Sequence, residues 1–209
     1  MKTKALIILL VSFLTFLQSQ VKCGLQDVHD SLELARIDRP INQTYYESSS
    51  GIFYVHYDTT AVPPYDHRPL EGDDNQNNVP DYVEWVAIMA DSAQHVLVDI
   101  LGYDPHPYDS DGKYDIYLRD DMNPSYYGVT YYDASLNNGS SWIEIENDFS
   151  PEENFNTVGY DAMKVTMVHE YFHGIQFGYS AYTSYNSNSN VWFYEMSSTW
   201  LEDVGVPEV

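Results

Sequence analysis

The chain is predicted to fold as an α+β domain around a mixed or antiparallel sheet, on three observations. Residues 51–57 read Gly-Ile-Phe-Tyr-Val-His-Tyr, the aromatic and β-branched composition of a strand. Three further short runs at 114–118, 127–132 and 142–146 have strand-like alternation. Apolar residues recur at steps of three and four over 80–101, and helical segments are read again over 157–178 and 191–203. The expected order is strand, long helix, three strands, helix, helix.

Residues 1–24 differ in kind from the rest. Lys2 and Lys4 precede the apolar run 5–17, and Gln18-Ser19-Gln20 follows it. That is the pattern of a secretory signal peptide, removed on export up to about residue 20–24. The apolar run is short for a bilayer span, which argues against an uncleaved anchor. Cys23 is the sole cysteine, so no disulfide forms within the chain. Lys22 stands where a lipoprotein would carry a small residue, which argues against lipidation. Residues 25–50, with a weak segment at 31–37, read as a leader or propeptide-like stretch, and 51–209 as the domain proper.

The strand at 51–57 ends in loop at Pro63-Pro64 and Arg68-Pro69. Its His56, and His67 beyond it, are isolated histidines of the kind that fill surface or core. Residues 73–84 then place Asp73, Asn75, Asn77, Val79, Asp81 and Glu84 at positions 1, 3, 5, 7, 9 and 12 of a calcium loop. Position 6 favours glycine and holds Asn78, a residue that tolerates the left-handed conformation. A polar turn capping the next helix, with Pro80 at its first position, accounts for the same residues. The long helix carries Val83, Val86, Ala90, Ala93, Leu97 and Ile100 on its core stripe and stops at Gly102. Asp109-Ser110-Asp111-Gly112 reads as a turn. In the run 142–146 the isoleucines Ile143 and Ile145 face inward. This run is nearest in sequence to the next helix and is expected to be the sheet edge beside it.

That helix holds Val168-His169-Glu170-Tyr171-Phe172-His173, an H-E-x-x-H motif. Residues four apart share a helix face, so His169 and His173 can aim two imidazoles at one zinc ion. Glu170 sits one step round, able to reach a metal-held water without itself binding metal. Zinc brings such a water's pKa to about 7, and the carboxylate takes its proton. Val165, Val168, Phe172 and Ile175 form the neighbouring apolar stripe, and Gly178 is a stop signal. A catalytic zinc needs a third protein ligand. The pattern H-E-x-x-H-x-x-G-x-x-H fails, because Gln176 and Tyr179 occupy its last two positions. A glutamate on the helix at 191–203 is the other source, reached through the polar run 180–190. Glu195 is the first acidic residue after the motif. Glu202 lies seven further on, roughly on the same face, and is the reserve.

The stretch HEYFHGIQFGY, followed by WFYEMSSTWLED, resembles the secreted bacterial zinc metalloproteases of the gluzincin type, including those of myxobacteria. Their pattern is similar to H-E-[FY]-F-H-x-x-Q-[FY], then W-[FL]-x-E-x-x-[AS]-T-W-x-E-D, and the match is strongest over residues 163–203. The resemblance implies zinc on His169, His173 and Glu195, with Glu170 as general base. It implies a zincin-like catalytic domain over 51–209 that lays an extended peptide along an edge strand. Such domains continue into a second lobe, which this chain is expected to lack. The best-studied gluzincins also carry an aspartate four residues after the glutamate ligand, orienting a histidine; Thr199 stands there.

All 32 acidic residues follow position 24, and three of the nine basic ones precede it. The remainder carries six basic residues against 32 acidic ones, a net of −26. That excludes nucleic acid and anionic membrane as partners and suits a calcium-rich exterior. Twenty tyrosines fit a secreted surface or a stacking cleft. The expected function is a secreted zinc-dependent metalloendopeptidase acting on protein or peptide, with no stable membrane association. The alternative is a calcium-stabilised extracellular binding module whose H-E-x-x-H site is inactive or structural.

Overall fold

Six runs of extended backbone build the sheet: β1 (Ala35–Arg36), β2 (Thr44–Glu47), β3 (Phe53–Tyr57), β4 (Tyr114–Arg119), β5 (Gly128–Asp133) and β6 (Ser141–Glu146). The computed structural model describes residues 23, 35–36, 38–122, 126–133, 138–151, 155–179 and 191–205. The signal-like run 5–17, most of the segment 31–37 and the polar run 180–190 lie outside the described residues. In space the order is β1-β5-β6-β4-β3-β2, five strands extended by the two-residue β1. The sheet is mixed. β3 with β4, β4 with β6, and β1 with β5 are parallel; β2 with β3 and β5 with β6 are antiparallel.

Among the described residues three α-helices complete the α+β architecture: α1 (Asp81–Gln94), α2 (Gly159–Gly178) and α3 (Val191–Gly205). One sheet face presents Phe53, Val55, Tyr114, Ile116, Ile143 and Ile145 to α1 and α2, and these residues form the main core. Fully burying side chains of this size stabilises the fold by about 1.5–3 kcal/mol each. From Thr166 to Phe177 every residue of α2 is buried, because the sheet, α1 and α3 enclose it. Such a helix must approach the sheet closely. A Cβ on Gly174 would collide with the Tyr114 hydroxyl and meet Ser141 Oγ at 3.3 Å, so glycine is required there.

Three expectations need correction. The strand at 142–146 is not an edge. β6 inserts between β5 and β4, is buried along its whole length, and leaves β5 as the strand beside α2 whose outer side is bordered, among the described residues, by β1 at Tyr132 and Asp133 and by Cys23 at Gly128. Ile100 is 64 % exposed and off the core stripe of α1. Past Gln94 the helix widens into a π turn, His95–Ile100, whose longer repeat shifts the phase of the stripe before Gly102 ends it. Pro80, expected as the first helical residue, stands at the N-cap of α1, one position before its first turn at Asp81.

Part of the leader-like stretch is built into the sheet. β2 is a short edge strand of alternating exposure that returns to β3 through a turn closed by the Gly51 N–H on the Ser48 carbonyl. Arg39 lies over the Trp142 ring at 5.2 Å and pairs with Asp109 at 2.8 Å, Asp133 at 2.9 Å and Asp115. A guanidinium bridging three carboxylates on the sheet's second face fixes this stretch far more firmly than a solvent-exposed ion pair would.

Candidate metal centre

A buried helix face carrying His169, Glu170, His173 and Gln176 must satisfy each polar group locally. The imidazoles of His169 and His173 do so in the same way. The His169 Nδ1 meets Glu202 Oε1 at 2.8 Å, and the His173 Nδ1 meets Gln176 Oε1 at 2.8 Å, with Ser198 Oγ at 3.3 Å. With oxygen partners on both Nδ1 atoms, both Nε2 atoms face a common place. The Gln176 amide in turn donates to Ser197 Oγ at 3.0 Å and to the Tyr194 carbonyl at 3.4 Å, so α3 holds α2's ligand side chains in orientation.

Glu195 of α3 comes to that common place. Its Oε2 lies 3.4 Å from His169 Nε2 and its Oε1 3.6 Å from His173 Nε2. Nitrogen and oxygen donors about 2.1 Å from a tetrahedral metal are about 3.4 Å from one another. His169 Nε2 and Glu195 Oε1 are buried with no hydrogen-bond partner among the described residues. A metal ion at this place would satisfy both atoms. Burial lowers the His169 pKa, but Glu195 and Glu202 outweigh it and push it up to about 10. Burial lowers the pKa of His173, and the neighbouring His169 adds to that. Burial raises the Glu195 carboxyl, but the two histidines bring it below its usual range. The carboxylates thus draw positive charge into the site, which a proton on His169 or a metal ion can supply.

A fourth donor joins them. Cys23 places its Sγ 3.6 Å from His173 Nε2. One atom each from Cys23, His169, His173 and Glu195 lies within 4.8 Å of the others, a set that can hold a metal ion. The sequence reading weighed Cys23 only for lipidation and disulfides. Its one legible signal was the lack of a second cysteine to pair with. Glu202, the reserve ligand, is not in the set. It is the carboxylate behind His169, on the ring nitrogen turned away from Glu195.

Glu170 is buried and binds elsewhere. Thr130 of β5 donates its hydroxyl to Glu170 Oε2 at 2.8 Å and lies 2.8 Å from the Glu170 carbonyl. Sequence spacing gave no hint of Thr130. The contact exists because β5 lies directly on α2. At Gly128 a Cβ would come within 2.8 Å of Thr166 Cγ2 and 2.9 Å of Glu170 Cγ. Glu170, His169, Cys23, Tyr127, Val165, Thr166 and Glu202 line a cavity of 10 Å³, about the size that one water requires.

The other sequence candidates lie apart from this centre. His56 Nε2 pairs with Asp115 at 2.7 Å, and His67 Nδ1 accepts from the Asp120 N–H at 3.0 Å. Asp109 to Gly112 is a turn, closed by the Gly112 N–H on the Asp109 carbonyl. In the loop 73–84, Asp73 accepts from the N–H groups of Asn77 and Asn78 at 3.0 and 2.9 Å. Asn78 has φ +66°, the left-handed conformation expected of position 6. Asn75 and Asn77 both reach the Glu84 carboxylate, at 2.9 and 2.8 Å. Asp81 is not drawn in with them; it accepts from the Asp74 N–H at 3.0 Å. Val79 donates its N–H to Asn77 Oδ1 at 2.8 Å.

No protein-family model matches the chain, and no curated protein or solved structure matches it. Among the described residues no helix is long and apolar enough to cross a membrane.

Proposed function

We propose that this protein is a secreted zinc-dependent metalloendopeptidase, with zinc held by His169, His173 and Glu195 and with Glu170 as general base. One observation carries the reading. Two imidazole Nε2 atoms lie 3.4 and 3.6 Å from the two oxygens of one carboxylate, a set that can close on one metal ion, while Glu170 binds none of them and lines the adjoining cavity. Zinc bound there supplies Lewis acidity toward a scissile carbonyl and acidifies a water. Glu170 takes a proton from the attacking water at its carboxylate and passes it to the leaving amine. Thr130 holds that carboxylate in place. The outer side of β5, where Cys23 and β1 pair, is the side along which an extended peptide would pair in their place. Metal analysis with a casein assay tests this. About one zinc per chain is expected, with hydrolysis lost to a chelator and restored by zinc. A zinc-loaded chain, freed of its N-terminal segment, that cleaves nothing in a peptide library would sink the proposal.

Thr130→Val keeps the shape of the side chain and removes its hydroxyl. A hydrogen bond to a charged group contributes about 1.5–3 kcal/mol. Turnover is therefore expected to fall roughly ten- to hundredfold with zinc content unchanged. An unaltered rate would remove Thr130 from the mechanism.

A second reading has Cys23 in its favour. Four protein donors make a closed site of the structural kind, as a calcium-stabilised binding module with an inactive H-E-x-x-H would have. Both readings place calcium at 73–84, supported by the left-handed Asn78 and by Glu84 facing Asn75 and Asn77. Calorimetry is expected to show calcium binding, in the roughly nanomolar-to-millimolar range of such loops, that Asp73→Ala and Glu84→Gln each weaken. No heat at millimolar calcium would leave a polar turn that caps α1.

A further inference from the structure

We propose that Cys23 is the fourth metal ligand of a latent form of this protein, and that losing the segment that carries it opens the site. The consequence for activity rests on the metalloprotease reading; the ligation does not. As sulfur binds the metal, the thiol gives up its proton and a water leaves. The step reverses when the segment is cut away by a peptidase, or when an organomercurial takes the sulfur as a mercury thiolate and water returns.

Three observations point the same way. The first is spacing. A thiolate about 2.3 Å and an imidazole about 2.1 Å from a tetrahedral metal are about 3.6 Å apart, and Cys23 Sγ lies 3.6 Å from His173 Nε2. The second is the orphaned Nε2 of His169, a residue 4 % exposed, aimed into this cluster without a hydrogen-bond partner. The third is where the backbone runs. Cys23 makes a parallel bridge to Gly128, the first residue of β5. β6 occupies the inner side of β5, so Cys23 lies on the outer side, where β1 also pairs at Tyr132 and Asp133. That is the side on which an extended substrate would pair. Cys23 itself lines the cavity of about 10 Å³ beside Glu170, room for about one water.

The device sets a condition on export. Signal removal must cut before Cys23, at the near end of the window 20–24, and a later cut must free the site.

Cobalt(II) is the probe, loaded into the full chain and into Cys23→Ala. The wild type is expected to bind one equivalent and to show a sulfur-to-cobalt charge-transfer absorption in the near ultraviolet. Cys23→Ala is expected to bind one equivalent without that absorption. With zinc, Cys23→Ala should hydrolyse casein at least tenfold faster than the wild type, as when a blocking segment holds the site about nine-tenths of the time. Organomercurial should raise only the wild type. Wild-type protein that binds cobalt without the absorption overturns the proposal. So does exported protein whose intact mass shows that the first cut lies beyond Cys23. Loss of metal from Cys23→Ala also overturns it and favours a structural site. If the absorption is present in the wild type yet neither protein cleaves any peptide, the protease reading fails and the ligation stands.

Discussion

Glu170→Gln is expected to keep its full equivalent of zinc and its fold while losing between about 10² and 10⁴ of its peptide turnover, the usual worth of a general base. The fold should survive because the change is isosteric at a buried position already partnered by Thr130. The Thr130 hydroxyl can turn from donating to a carboxylate to accepting from an amide. Zinc should be retained because Glu170 supplies no atom to the donor set. What the amide cannot do is take a proton from water and return it to the leaving amine. The comparison belongs in the Cys23→Ala background, so that occupancy of the site by the thiolate does not mask the chemistry. Zinc content by atomic spectroscopy and kcat on casein are the two measurements. Wild-type turnover in the double variant would mean that another group is the base, and the H-E-x-x-H reading would lose its central residue.

Much of the centre was legible because its donors are local in sequence. His169, Glu170 and His173 are fixed relative to one another by helix geometry alone, and the helix was predicted to within two residues at its start. Glu195 was legible as the first carboxylate on the next helix. It was separable from Glu202 only by resemblance, since the two are about two turns apart on one face. Tertiary packing gives them different contacts. α3 crosses α2 so that Glu195 meets the Nε2 side of His169 and Glu202 the Nδ1 side.

The parts that were not legible depend on contacts distant in sequence. Cys23 reaches His173 across 150 positions. Thr130 meets Glu170 across 40, through a strand that looked like any other alternating run. The misplaced edge has the same origin. Nearness in sequence suggested β6, but a strand pairing parallel with β4 and antiparallel with β5 is buried on both sides whatever its neighbour in the chain. The π turn escaped for a local reason. Residues 95–100 keep apolar spacing close enough to an α-helix that periodicity alone does not report the extra residue in the turn.

Glu195→Ala and Glu202→Ala are expected to separate by more than tenfold in zinc affinity, and this is the sharpest test of how the two helices build the centre. Both carboxylates touch His169, through opposite ring nitrogens, Glu195 Oε2 at 3.4 Å and Glu202 Oε1 at 2.8 Å. Removing Glu202 leaves every donor in place and frees the His169 ring to turn. Loss of such an orienting partner typically costs about 10–100-fold in metal affinity, so a weakened but measurable site should remain. Removing Glu195 takes away a donor and the site's only charged donor oxygen. The remaining histidines then hold a dication without a carboxylate ligand, and the loss should exceed that hundredfold range. Titration against a chromophoric chelator measures both, again with Cys23→Ala as the parent so that sulfur does not compensate for the missing oxygen. Circular dichroism checks that α3 persists in each variant. If Glu202→Ala abolishes binding and Glu195→Ala only weakens it, the roles are exchanged. Glu202 would then be the ligand and Glu195 the residue that orients His169.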